Sequence, residues 1–271
     1  MVLPARPYVT ALLTDFGLDD PYVGCMKGAI LRIHPSAQIV DVCHSLPAFN
    51  IGSAAFLLGC IFRDFPDRTI FVCVVDPGVG SERPIIIASV GNYYFIAPDN
   101  GVLSAVFADP EFTRVYKATA EHFFLPSPSK TFHGRDIMAP LAGWISKGVD
   151  VANMGELFDD YVRLDMPQPK LIGGTVLQGR VAHIDRFGNC VTNIPRKDVD
   201  EMTGAGKKFV RALANSREIS MFCEYYAQAP ANGEPVCLIG SLGYVEVACN
   251  RASASRALSA QVGAEVGLVF E

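Results

Sequence analysis

The sequence is short of the patterns that announce common chemistries. It contains no GxGxxG and no GxxxxGK[ST], so neither a dinucleotide fingerprint nor a P-loop is supported. GxSxG is missing, which removes the usual serine-hydrolase signal. HxxxH, HxH and HExxH are absent, and the histidines at 34, 44, 122, 133 and 183 have no metal-ligand spacing, so no metal is expected. None of the eight cysteines forms a CxxC pair and most lie in apolar runs. They read as reduced core thiols of a cytoplasmic protein rather than as disulfides or zinc ligands. There is no long basic run and the net charge is −5, which argues against a nucleic-acid partner. The longest apolar run, around Ile51–Phe62, is too short to span a bilayer, and MVLPARPYVT has no signal-peptide pattern, so no membrane is expected either. No repeat or low-complexity segment is visible.

What remains is a well-stocked core. Half of the 271 residues are hydrophobic and 19% are charged, so a sizeable core rather than disorder is expected, in one large domain or two moderate ones. The first part alternates strands and helices: a strand at Tyr8–Leu13, a helix entered through Asp20-Pro21 as cap and first residue, a strand at Gln38–Cys43, and a helix capped by Asn50. A core strand follows at Ile70–Val75, then a hairpin about Gly91-Asn92, then an amphipathic helix over Ile137–Ser146 ended by Gly148. This alternation predicts an α/β domain with a largely parallel sheet over residues 1–168. Around Leu164–Gly174 two prolines and two glycines mark a linker, and short β runs follow with few helices. They predict a smaller antiparallel, barrel-like all-β domain over 169–271.

The most informative stretch is IFVCVVDPGVGSERP, Ile70–Pro84. The apolar run stops at Asp76, and Pro77, Gly78 and Gly80 break it into a tight loop. A carboxylate therefore sits at the carboxyl end of a core strand, where open α/β sheets bind ligands. Arg83 can return to pair with it, either as a structural turn or as part of a site. Asp15 follows another strand and suits a ribose diol or a plain turn. His133, just before a helix, suits a base, a water-orienting group or a satisfied loop histidine. The other four histidines read as structural or surface. In the C-terminal part Asp185 and Asn189 suit a zwitterionic amino acid or an Asx turn. Ser241, Glu246 and Asn250 lie in a second polar island, and Phe49 beside the Asn50 cap suits stacking on a sugar or purine, or the core.

Taken in order, TDFGLDDPYVGCMKG, VDVCHS, VVDPGVGSERP, APDNG, TFHGRDIMAP, IDRFGNCVTNI and GSLGYVEVACN closely resemble the S-adenosyl-L-methionine hydroxide adenosyltransferase (SAM hydrolase) family, relatives of the fluorinases and chlorinases. The resemblance covers nearly the whole chain. It implies an α/β domain, a β-barrel domain and a homotrimer with ligand held between neighbouring subunits. The reaction it implies is hydrolysis of S-adenosyl-L-methionine to adenosine and L-methionine, with the substrate as the small-molecule partner and no cofactor. Asp76, Arg83 and His133 match the family's water-activating set and Asp15 its ribose contact. Phe49 falls where the halogenating relatives place a Trp. Asp185 and Asn189, with Phe187 nearby, match contacts to the methionine end, Ser241 a methionine-carboxylate contact, and Asn250 the adenine-contacting segment, with Glu246 in the same substrate-binding island. Leu242 and Arg251 depart from the relatives. Asp76 falls where the halogenases carry an aromatic residue, which favours water as nucleophile. A halide-using transferase and a non-catalytic nucleoside-binding protein are the alternatives.

Overall fold

The computed structural model describes residues 7–271; residues 1–6, the start of the stretch read above for a leader, lie outside the described residues. The chain divides into two compact units, Met1–Leu164 and Asp165–Glu271. Local anchoring explains the division, which falls a few residues ahead of the boundary read from the sequence. Leu164 N–H donates to Ser104 Oγ at 2.7 Å, whereas the Pro167 carbonyl accepts from Asn193 Nδ2 at 2.5 Å. No helix among the described residues is long and apolar enough to cross a membrane.

The first unit is built on seven strands: β1 Val9–Thr14, β2 Gln38–Cys43, β3 Thr69–Val74, β4 Ile85–Val90, β5 Tyr93–Pro98, β6 Phe112–Ala118 and β7 Gly155–Leu157. They lie in the order β2-β1-β3-β5-β4-β6-β7. The sheet is mixed rather than largely parallel. β2, β1, β3 and β5 run parallel, whereas β4 pairs antiparallel with β5 and β6, and β6 with β7. The Gly91-Asn92 turn, too short for the crossover that parallel neighbours need, makes β4 and β5 antiparallel. β6 and β7 were not read from the sequence at all.

Both faces of the sheet are covered. Leu12, Ile70 and Val72 pack with Met26 and Ile30 of α1 Tyr22–Ile33 on one side. Ala11, Leu13, Phe71 and Cys73 pack with Ala54 and Leu58 of α2 Ile51–Ile61 and Val106 of α3 Ser104–Phe107 on the other. Alternate residues of one strand thus feed two cores, which is why β3 reads as a continuous apolar run. Asn50 caps α2 by accepting from Ser53 N–H at 2.9 Å. Asp20 makes no such cap; Pro21 takes that position on α1 without a side-chain bond. The expected amphipathic helix is a π-turn, Gly134–Met138, running into α4 Ala139–Ser146, and every α4 residue except Trp144 is buried. It lies with α1 over the same core, so it has no wide solvent face.

The second unit holds β8 Lys170–Ile172, β9 Val176–Ile184, β10 Cys190–Pro195, β11 Phe209–Ala214, β12 Arg217–Ile219, β13 Phe222–Cys223, β14 Pro235–Ile239, β15 Tyr244–Cys249 and β16 Glu265–Phe270. The order is β12-β11-β16-β9-β10-β15-β14-β13, with β8 also on β9. This sheet curls into a half-barrel and does not close fully, so the barrel-like expectation holds in part. Its end strands have three and two residues, too few to form a closing ladder, and β13 pairs parallel to β14. Nor is the unit all β: α5 Arg196–Gly204 and α6 Ala254–Leu258 accompany the sheet. α5 escaped notice because only Val199 and Met202 of its nine residues are buried.

Phe71 is fully buried and stacks on Phe95 with ring centroids 5.1 Å apart. Phe71→Ala is expected to destabilise the first unit by about 3–5 kcal/mol, read as an earlier denaturant midpoint. A loss under about 1 kcal/mol would contradict this account of the core.

Candidate active site

In the order β2-β1-β3 the chain leaves β1 toward one neighbour and later returns to pair on its other side. The direction of winding reverses there, and the crevice at the carboxyl ends of such strands is the standard ligand site of doubly wound sheets. Thr14 of β1 is in register with Val74 of β3. Asp15 and Asp76, one and two residues past these positions, therefore leave neighbouring strands at the same sheet edge, at the reversal point.

Asp76 is held from several directions. The 76–83 loop folds tightly, with Val79 N–H on the Asp76 carbonyl at 3.3 Å and Ser81 N–H on the Gly78 carbonyl at 3.1 Å. Gly80 has φ of 81°, and a β-carbon there would run into the Lys130 carbonyl oxygen, so this position requires glycine. The fold-back lays Arg83 on Asp76. Arg83 Nε donates to Asp76 Oδ1 at 2.8 Å, and Arg83 Nη2 donates to Asp76 Oδ2. The two side chains are 10% and 4% exposed, so the pair is a bidentate ion pair largely out of water.

Arg83 Nη2 also reaches His133 Nδ1 at 3.0 Å. A guanidinium only donates, so Nδ1 is the acceptor and the neutral ring carries its hydrogen on Nε2. Burial pushes the His133 pKa below the ordinary histidine value, and the Arg83 charge pushes it the same way. The third nitrogen, Arg83 Nη1, is buried and has no hydrogen-bond partner among the described residues. His133 sits where the π-turn begins, and Gly134 next to it lies close against Val74 and Met26. Within that turn Asp136 accepts from Ser129 N–H at 2.9 Å and Arg135 Nε at 2.6 Å, which ties the turn to the preceding loop. Asn100 Nδ2 donates to the Val75 carbonyl at 2.9 Å and steadies the end of β3.

Asp15 Oδ2 accepts from Phe49 N–H at 2.8 Å. Phe49 has φ of 64°, a left-handed conformation uncommon outside glycine, and the residue is 71% exposed. Phe49 is therefore a rim residue and not part of the core.

The second unit gathers its own set. Asp185 Oδ1 accepts from Phe187 N–H at 2.9 Å and Asn189 N–H at 2.8 Å, and Oδ2 accepts from Asn189 Nδ2 at 2.9 Å. This is the Asx-type turn that the sequence left open, and it presents Phe187 at 78% exposure. Asn250 Nδ2 donates to the Ala229 carbonyl at 3.1 Å. Ser241 lies exposed in the β14–β15 turn. Glu246 is buried, and its carboxyl pKa is raised by that burial and by the Asp185 charge, although the Tyr226 hydroxyl donates to Oε1 at 2.7 Å.

The structure thus brings Asp76, Arg83 and His133 together, and Asp15 to Phe49. It joins Asp185 to Asn189 through side chains, and Glu246 to Tyr226. Tyr226 carries no sequence signal. His44, read as structural or surface, is buried beside Asp15, and its place just past β2 on the same sheet edge was the available clue.

A doubly wound sheet with a buried ion pair and a histidine at its reversal point defines a small-molecule α/β site of the kind that enzymes use. The particular family is shown by comparison. The chain belongs to the SAM hydroxide adenosyltransferases: the model for their N-terminal domain matches residues 10–155 and that for their C-terminal domain residues 179–267. It is 34% identical to an (R)-S-adenosyl-L-methionine hydrolase of Methanocaldococcus jannaschii, over 97% of this chain and 96% of that one. It is 26% identical to a fluorinase of Nocardia brasiliensis, over 96% of each. A crystal structure of an uncharacterized conserved protein from Thermotoga maritima superposes with a TM-score of 0.88 at 34% identity, covering 96% of this chain and all of that one.

The lowered His133 pKa is directly measurable. By NMR the ring is expected to titrate below 6.5, and Asp76→Asn, which removes a charge that raises this pKa, should lower it further. Because the folded state disfavours protonation, the unfolded chain takes up more protons as pH falls through 6.5, so this group's contribution to stability is lost in that direction. A ring titrating above 6.5 would contradict the geometry.

Proposed function

We propose that the chain hydrolyses S-adenosyl-L-methionine to adenosine and L-methionine by in-line attack of water on the ribose C5′. The observation that carries this is the Asp76–Arg83–His133 cluster at the sheet's reversal point, in a chain whose family relatives include enzymes named for that hydrolysis. The water oxygen forms a bond to C5′ as the C5′–S bond breaks. The bonding pair stays on sulfur, which leaves as a neutral thioether, so no general acid is required; the proton lost is that of the water. The demand on the protein is to hold and activate a poor nucleophile.

Each Asp76 oxygen takes one Arg83 hydrogen and keeps lone pairs for a water proton. The buried Arg83 Nη1 is a donor with no partner among the described residues, suited to the water oxygen. His133, with Nδ1 engaged by Arg83, offers Nε2–H and acts as an orienting donor rather than as the base. Pairing with Asp76 offsets the Arg83 charge, which would otherwise repel the sulfonium. A carboxylate at this position also favours water, which donates to it, over a halide, which does not.

Around this centre Asp15 is assigned to the ribose hydroxyls and Phe49 to the sugar face. Asp185, Asn189 and Phe187 are assigned to the methionine end and Ser241 to its carboxylate. Asn250, with Glu246 in the same strand region, is assigned to the adenine side. A cytoplasmic location is part of the same proposal, supported by cysteines that are free rather than paired.

Incubation with S-adenosyl-L-methionine in heavy-oxygen water is expected to yield methionine and adenosine labelled at O5′. Binding without products, or a halogenated nucleoside when fluoride or chloride is present, would reject the hydrolytic reading. Asp76→Ala should lower kcat by about 10²–10⁴-fold while the substrate still binds. Asp15→Ala should weaken binding by about tenfold to a hundredfold for each ribose bond lost. Calorimetry showing normal binding by Asp15→Ala would reverse those roles. The active form is proposed as a homotrimer in which each ligand is served by two subunits; light scattering that finds a fully active monomer would overturn this.

A further inference from the structure

The polar groups behind Asp15 form one continuous chain of contacts. Lys27 Nζ, on α1, donates to Asp41 Oδ2 at 2.6 Å. Asp41 Oδ1, on β2, lies 2.9 Å from His44 Nε2. His44 Nδ1 lies 2.9 Å from Thr14 Oγ1, at the end of β1, and Phe16 N–H donates to the same oxygen at 3.3 Å. Their directions follow from the groups present. An ionised Asp41 only accepts, so His44 Nε2 carries the hydrogen; in that neutral tautomer Nδ1 is the acceptor and the Thr14 hydroxyl the donor. The Thr14 oxygen is then free to accept from Phe16. Burial pushes the Asp41 pKa up, but the bonds from His44 and Lys27 outweigh it and hold the carboxyl below its ordinary value.

His44 also grips the same loop from its other end, since its carbonyl accepts from Gly17 N–H at 2.7 Å. The two contacts bracket Asp15. Gly17 and Phe49 have φ of 70° and 64°, so a left-handed residue lies in each loop, and Asp15 itself closes the ring by accepting from Phe49 N–H. Thr14 is fully buried and His44 is 4% exposed, so water does not compete for the bond between them, whereas the Asp41 carboxylate behind them is 43% exposed. Apolar packing would fill the same space without the desolvation cost; what the polar chain adds is direction.

We propose that His44 is a positioning residue for nucleoside binding: through Thr14 and Gly17 it sets the Asp15 carboxylate for the ribose diol, with Asp41 and Lys27 orienting its ring. This rests on the assignment of Asp15 to the ribose. Adenosine binding, measured by calorimetry on the full chain, tests it without requiring turnover. His44→Leu and Thr14→Val are each expected to weaken adenosine about tenfold in the otherwise native protein, and to change affinity by less than about twofold when Asp15→Ala is already present. Thr14→Ser, which keeps the hydroxyl, should retain native affinity, and in turnover the loss should fall on KM rather than kcat. If His44→Leu does not fold, the Thr14 pair decides. Native affinity in Thr14→Val, or equal losses with and without Asp15, overturns the proposal alone; a native protein that binds no adenosine overturns it together with the assignment of Asp15.

Discussion

The buried pairing of Asp76 with Arg83 is the constraint on which the first unit's active edge depends. A charge taken out of water must be neutralised and hydrogen-bonded nearby, or the fold loses several kcal/mol. Asp76 is carried into that position by β3, whose apolar residues are buried on both faces, so it cannot retreat to solvent. Arg83 must then come back over it, and the loop that returns it has room only for glycine at position 80. The same guanidinium fixes the tautomer of His133, so one ion pair orders a strand end, a loop and the entry to α4.

The carboxylates of this protein are set up for different tasks by what surrounds them. Asp76 is paired with a guanidinium and shielded. Asp15 takes one backbone N–H through Oδ2. Asp185 has both oxygens engaged by its own turn and shapes a loop that carries Phe187 outward. Glu246, buried with a Tyr226 hydroxyl, is pushed toward its neutral form. For a cationic, sulfonium-bearing substrate this division makes sense. Negative charge is useful where it is held in place, and the arginine is tolerable only because a carboxylate already balances it.

Much of the architecture was legible along the chain. β2 and the hairpin of β4 and β5 follow directly from apolar runs bounded by glycine, asparagine and proline, and Asn50 announced α2. What escaped were elements whose identity comes from partners. β7 has three residues and exists because β6 is beside it; α5 has a mainly polar sequence and only two buried anchors. The π-turn at Gly134–Met138 has no sequence signature separate from an ordinary helix.

The sequence by itself determined that a carboxylate stands at the end of a buried strand, that an arginine lies within reach of it, and that the motif series is that of the SAM hydroxide adenosyltransferases. These are properties of residue order and hydrophobic period, which are local. Tertiary structure alone decided that Asp15 and Asp76 emerge at the same sheet edge, because that depends on the parallel register of Thr14 with Val74 across fifty-nine intervening residues. It also decided that His133 is an acceptor toward Arg83, and that His44 is buried behind Asp15 rather than exposed. Hydrogen-bond direction and burial are set by neighbours distant in the chain, and no spacing between residues encodes them.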